Sequence, residues 1–328
     1  MDDDTSALPL IDRVETRQPF VVRQWKRVWN NGPLLIILAT MFFSGVVVAI
    51  KLLDGKVPQL QILFIRALLI CFMMPTKIKC QSRGSPANFG RKENMHLLLM
   101  LGCAIFCHIT TTWYAITRMP IADAMAIVFA NTIFTAPIGL IARLEKWTQC
   151  TPVGLLLSLV GVLVVTKPPM IFGKGSTDWS SDRIQGMQLA VVGSVMIALV
   201  FLVIKRLDKR EDADVLLLWQ NVVISVFSFA MLWMGFPDKP VFQASPQDWV
   251  ITALAVIAGV AAWFMINRGG QLTSATLLSV LTGIELGFTL LADVFIFGEV
   301  FDPLKLLGLA CIVGASAIVA FTITPVVR

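Results

Sequence analysis

Residues that carry chemistry are scarce in this chain. Its 328 residues hold two histidines, His96 and His108, and one tyrosine, Tyr114. The histidines stand twelve positions apart, outside HExxH or any other ligand spacing, and no GxSxG, Walker or GxGxxG motif occurs. Six cysteines (Cys71, Cys80, Cys103, Cys107, Cys150 and Cys311) show no metal spacing. They fall in apolar runs or on the expected inner side, where disulfides are not expected. A membrane enzyme is thereby disfavoured: no catalytic residue, metal ligand or cofactor is expected. Charge is scarce as well, at 15% against about 25% for a soluble domain. There is no Asn-x-Ser/Thr sequon and no C-terminal retrieval signal. A plasma-membrane and an endomembrane address both stay open.

Apolar residues fill the gap, at 56% of the chain with a mean hydropathy of +0.78. A bilayer core takes about 20 apolar residues per helix. Ten such runs are found, near 33–52, 57–75, 94–116, 121–142, 151–166, 185–204, 214–234, 248–267, 274–297 and 303–322. The chain also repeats itself at an offset of 154 residues. Lys51 and Asp54 return as Lys205 and Asp208, Glu145 as Glu299, and Gly154 as Gly308. Each copy holds five runs, an odd number, so the second copy lies inverted in the bilayer relative to the first. Inverted repeats are how many secondary transporters build two states around one central site.

The expected fold is thus an all-α integral membrane protein of ten transmembrane helices in two inverted five-helix repeats. Residues 1–32 read as a cytoplasmic tail, 33–166 as the first repeat, 167–184 as an extracytoplasmic connector, 185–322 as the second repeat and 323–328 as a short cytoplasmic end. Trp25 and Trp29 near the end of the tail suit an interface. The net charge of +6 is no nucleic-acid signal, because the basic residues sit in short loops. With both termini inside, inner segments carry 18 Lys and Arg and outer segments 8, leaving Arg66 within a span.

Ionisable groups at membrane depth are costly, so each is a functional candidate. Arg66 lies within span 2, with Gln220 at the equivalent place in span 7. Glu285 lies within span 9, with Asn131 equivalent to it in span 4. These four form the expected substrate site, with His108 and Tyr114 as further hydrogen-bonding groups and Trp263 as an aromatic wall. Arg66 and Glu285 either face substrate or pair with each other. Glu285, with Asp293 about two turns beyond it, is also the candidate for proton coupling. Lys51 and Lys205 end equivalent helices on opposite faces, either as gates or as snorkelling interface residues. Glu145 and Glu299 read as helix-end anchors, and Asp123 as a helix-start residue.

The segment "MPIADAMAIVFANTIFTAPIGLIARLEKW", followed by "GLLLSLVGVLVVTKPPMIFG", resembles spans 4 and 5 of the drug/metabolite transporter superfamily, EamA type. The segment "LTSATLLSVLTGIELGFTLLADVFIFGEV" is the same element in the second copy. Lys-Pro-Pro and Phe-Gly after span 5 resemble the G subgroup of the solute carrier 35 family. The resemblance implies a basket of helices around a cavity lined mainly by spans 1, 3, 4, 6, 8 and 9, working by alternating access with both termini cytoplasmic. One departure stands out. The family often places proline in mid-span 4, where this chain has Thr132, with Pro137 the nearest proline and Leu286 in the second copy. A kink there is expected to lie elsewhere.

The expected function is a secondary transporter or facilitator of a small polar metabolite, first of all an organic anion. The alternative is a membrane adaptor that keeps the fold without transport, working through its tail and the basic 75–93 loop. The expected partners are a small-molecule substrate and the lipid bilayer, not nucleic acid, with the chain a monomer or homodimer.

Overall fold

The computed structural model describes residues 28–53, 55–81, 89–119, 121–143, 150–167, 180–208, 210–298 and 303–322. Among these residues the fold is all-helical. Helices α1 (Gly32–Leu52), α2 (Gln59–Gln81) and α3 (Met95–Arg118) are followed by α4 (Ile121–Phe129), α5 (Asn131–Ile141) and α6 (Thr151–Thr166). The second repeat gives α7 (Ser181–Arg206), α8 (Ala213–Trp233), α9 (Pro246–Leu272), α10 (Ala275–Thr282), α11 (Glu285–Phe297) and α12 (Pro303–Thr322). Eight segments are long and apolar enough to cross a membrane, counting α4 with α5 and α10 with α11 as single segments. The shorter α6 is apolar as well.

Local chemistry sets the helix starts. Asn31 accepts from the Leu34 amide, Ser180 from Arg183, Ser245 from Asp248 and Ser274 from Leu277. Each occupies an amide that the first turn leaves without a helical partner. Proline stands at the start of α1, α6 and α9, where its missing N–H costs nothing.

The two repeats interleave. Helix α1 packs on α9 and α3 on α7, two pairings that exchange under the repeat symmetry, while α2 packs on α8 and α6 on α12. The α6–α12 crossing is held close by glycine. A Cβ added at Gly161 would lie 2.6 Å from the Gly308 carbonyl oxygen, and one at Gly308 would lie 2.7 Å from that of Gly161. Small residues at such crossings bring helix backbones together where lipid gives no hydrophobic drive.

The fourth span of each repeat is broken, and at matching places. Between α4 and α5 the turn centres on Ala130, whose amide reaches both Ala126 and Ile127 carbonyls. Between α10 and α11 it falls on Gly283 and Ile284, with three-residue bonds from Gly283 to Val280 and from Gly287 to Ile284. Positions 130 and 284 are related by the repeat offset. The interruption thus falls within two residues of Thr132 and Leu286, where the family's proline is missing, rather than elsewhere as expected. Glycine accounts for part of it in the second copy. Hydroxyls take up carbonyls beside both breaks: Thr135 donates to Asn131 O and Thr289, its equivalent, to Leu286 O.

Candidate functional site

The two breaks and four long helices surround a cavity. Its wall repeats the internal symmetry residue by residue. Phe43 on α1 has its equivalent in Ile197 on α7, Val47 in Phe201, and Ile109 on α3 in Trp263 on α9. Thr112 matches Ile266, Val128 matches Thr282, and Asn131 matches Glu285. A cavity built from equivalent positions of inverted halves lies at the repeat interface, where broken helices of transporters form their sites. The wall comes from spans 1, 3, 4, 6, 8 and 9, with Arg66 added from span 2.

Five of the expected substrate residues line this cavity: Arg66, His108, Asn131, Trp263 and Glu285. Arg66 is 3% exposed, and its Nε has no partner. Its stem passes Gly259 on α9, where an added Cβ would lie 3.0 Å from Arg66 Cδ. Glu285 opens α11 and is 5% exposed. Its backbone carbonyl accepts from Ser44 Oγ at 3.4 Å. Among the described residues Arg66 and Glu285 form no ion pair with each other or with another side chain. Two ionisable side chains therefore share a largely apolar cavity without pairing with each other, and polar groups are left for whatever enters it.

His108 Nδ1 lies 2.9 Å from the Gly193 carbonyl on α7. A carbonyl only accepts, so Nδ1 carries the proton and Nε2 of the neutral ring is an acceptor. Asn131 Oδ1 accepts from Ser279 Oγ on α10, which ties one broken span to the other. Phe43 and Trp263 meet edge to face at 5.3 Å.

Gln220 and Tyr114 lie off the cavity wall. Gln220 forms a two-way amide pair with Asn267, at 2.7 and 3.1 Å, between α8 and α9. The Tyr114 hydroxyl is buried without a partner, and the Arg118 guanidinium stands 5.7 Å over its ring. Lys51 and Lys205 also lie off it. Lys51 Nζ sits 4.5 Å over the Phe297 ring, and Lys205 Nζ pairs with Asp208 at 3.1 Å. Glu145, Glu299, residues 1–27 and the side chain of Asp293 lie outside the described residues.

Sequence reasoning passed over Phe43, Ile197, Phe201, Thr112 and Thr282. Apolar and hydroxyl side chains facing a cavity read in sequence like those facing lipid or core. Applying the repeat offset to Trp263 and Glu285 would have pointed to part of the wall.

The profile of the EamA-like transporter family matches residues 30–167 and 184–321, one match per repeat. The chain belongs to the EamA-like transporter family. Among relatives, an uncharacterized membrane protein of Saccharomyces cerevisiae is 23% identical, covering 88% of this chain and 74% of its own length. Solute carrier family 35 member G1 of Homo sapiens is 20% identical over 87% of this chain and 77% of its own. The pseudopaline exporter CntI of Pseudomonas aeruginosa is 23% identical over 87% and 94%. A crystal structure at 16% identity superposes with a TM-score of 0.69, covering 88% of this chain and 97% of the other, and shares the fold. The family and the relatives named as a solute carrier and as an exporter support membrane transport as the general activity of this EamA-type chain and give an enzyme no support.

Proposed function

We propose that this EamA-type chain is a secondary transporter or facilitator that moves a small polar metabolite across a membrane by alternating access. It does so through ten spans, with both ends of the chain on the cytoplasmic face. The observation that carries this reading is two buried ionisable side chains, Arg66 and Glu285, that form no ion pair with each other in a cavity walled by equivalent residues of both repeats. A structural ion pair would satisfy both groups and leave nothing for a ligand. Here the guanidinium is free to take a carboxylate or similar anion in a bidentate grip. The substrate is therefore read as an organic anion. His108 Nε2 and Asn131 supply polar contacts, and Phe43 and Trp263 the apolar wall.

Glu285 lies at the break of α10 and α11, where the two halves change position if access alternates. A carboxylate there exchanges a proton with whichever side is open. The relatives named as a solute carrier and as an exporter support transport, and leave the substrate of this chain to experiment.

The test is uptake into proteoliposomes from a mixed panel of labelled carboxylates, amino acids, nucleosides and sugar nucleotides, with and without a pH gradient. Saturable uptake of a carboxylate class, lost in Arg66→Ala, is the expected result. In Glu285→Gln the response to the pH gradient disappears. Absence of uptake of every class by folded protein counts against the transporter reading and moves attention to the tail as an adaptor segment.

A further inference from the structure

The face of the molecule where α4 and α7 begin carries an ion pair that the transport reading has not used. Arg183 Nη2 donates to Asp123 Oδ2 at 2.6 Å, and the two side chains are only 12% and 7% exposed. Asp123 lies in the first turn of α4, in the first repeat. Arg183 lies near the start of α7, in the second. The contact therefore bridges the two halves. Met125, two residues beyond Asp123, already lines the cavity. The end of α3 closes over the same place: a Cβ added at Gly186 on α7 would lie 3.0 Å from Met119 Sδ and 3.3 Å from Arg118 Cβ. A helix-start carboxylate favours the positive end of α4. That accounts for an acidic residue at 123, but not for a buried arginine delivered to it from the other repeat.

The repeat offset gives the comparison. The positions equivalent to Asp123 and Arg183 are Leu277 on α10 and Trp29 just before α1. Trp29 packs on the Phe264 ring, 5.0 Å between centroids, and Leu277 is half-buried against the core. An ion pair thus joins the repeats at one pair of positions, and apolar side chains stand at the symmetric pair.

We propose that Asp123 and Arg183 form the gate that closes the cavity on the face where α4 and α7 begin. This rests on the alternating-access reading above. Opening that face carries both charges into water, where each is hydrated, so the open state is reachable. Closing it brings the two charges together, because the Arg183 guanidinium, 12% exposed in the closed arrangement, gives up most of its water there and needs the carboxylate in exchange. Loss of one partner therefore penalises the closed state specifically and shifts the balance toward opening on this face. A clamp that only holds the fold together would weaken both states alike.

The experiment uses the full chain in sealed vesicles with Met125→Cys as reporter. An impermeant maleimide is applied from one face or the other, and labelling of the residue-125 peptide is read by mass spectrometry, which separates it from the native cysteines. Asp123→Asn is expected to raise labelling from the Asp123 face, relative to the opposite face, by about tenfold. The charge-exchanged double variant, Asp123→Arg with Arg183→Asp, is expected to return the ratio toward that of the parent. So is Asp123→Leu with Arg183→Trp, which copies the apolar residues at the symmetric positions. Arg183→Gln, which breaks the pair from the other side, is expected to move the ratio in the same direction and keeps the test decisive where Asp123→Asn fails to fold. A sided ratio that none of the variants moves overturns the gate and leaves a structural clamp. Labelling that never depends on the face of addition removes alternating access, and the gate with it.

Discussion

The two repeats share a backbone plan and differ in what they send into the cavity. Six pairs of equivalent positions line it, and in most of these both members are apolar or small polar groups. Charge breaks the symmetry. The first repeat contributes Arg66, whose equivalent Gln220 has turned away to pair with Asn267. The second contributes Glu285, whose equivalent Asn131 is tied to Ser279. Each repeat thus places one ionisable side chain in the cavity, and its polar counterpart in the other repeat hydrogen-bonds to the protein. The amides hydrogen-bond to the protein, Asn131 across the halves and Gln220 within the second, while the ionisable groups face the cavity. Equivalent positions have divided the two tasks between them.

Arg66 and Gln220 give the widest test of that division. Arg66→Ala is expected to lower transport by roughly hundredfold, about 3 kcal/mol for a charged hydrogen-bond donor removed from its ligand. Arg66→Lys restores little, because an ammonium lacks the planar fork. Gln220→Ala changes transport per folded molecule by no more than about threefold and lowers thermal stability instead, by about 1–3 kcal/mol, since Asn267 loses its partner. Equal losses of transport in the two variants would put Gln220 back in the site. Gly259→Val is the companion variant. Its side chain would push on the Arg66 stem, and loss of transport with the guanidinium still present would show that placement is what matters.

At the α6–α12 crossing a glycine of each repeat, Gly161 and Gly308, meets the other's backbone. Gly161→Val would drive a side chain into the Gly308 carbonyl, and overpacking of this kind costs about 1–3 kcal/mol. Thermal unfolding in detergent measures it. Gly314→Ala on α12, where the nearest atom to a new Cβ lies 3.5 Å away, is expected to be neutral. Transport per folded molecule should stay unchanged in both, because neither glycine lines the cavity.

The sequence showed much of this and missed part, for physical reasons. The repeat at 154 residues and the apolar runs are one-dimensional signals, and the helices follow them to within a few residues at most ends. Buried ions are rare in hydrocarbon, so Arg66 and Glu285 announced themselves. Gln220 looked like their peer because an amide at depth reads the same whether it meets a ligand or another amide. Asn267, which decides the matter, is close to the end of an apolar run and drew no notice. Asp123 looked like a helix-start carboxylate, and only the fold brings Arg183 to it from sixty residues away. The breaks at Ala130 and Gly283 lack the proline that would have marked them.

The smallest expected effects belong to Lys51 and Lys205, and they separate the two ends of the molecule. Lys205 pairs with Asp208 three residues on, at the end of its own helix, with side chains 19% and 23% exposed. A partly exposed pair within one helix end contributes little, so Lys205→Gln should alter stability by less than about 0.5 kcal/mol. High salt should erase what difference there is. Lys51 sits over Phe297 of α11, and so joins α1 to the other repeat. A cation over an aromatic face at the rim gives about 0.5–1 kcal/mol and is less sensitive to salt. Lys51→Gln should therefore be the more destabilising of the two, with a deficit that persists at high salt. Transport by both variants should stay within about twofold of the parent, because both ammonium groups lie away from the cavity. A larger loss confined to Lys51→Gln would make the Lys51–Phe297 contact part of the closure on the Asp123 face, extending the ionic end of the cavity beyond the Asp123–Arg183 pair.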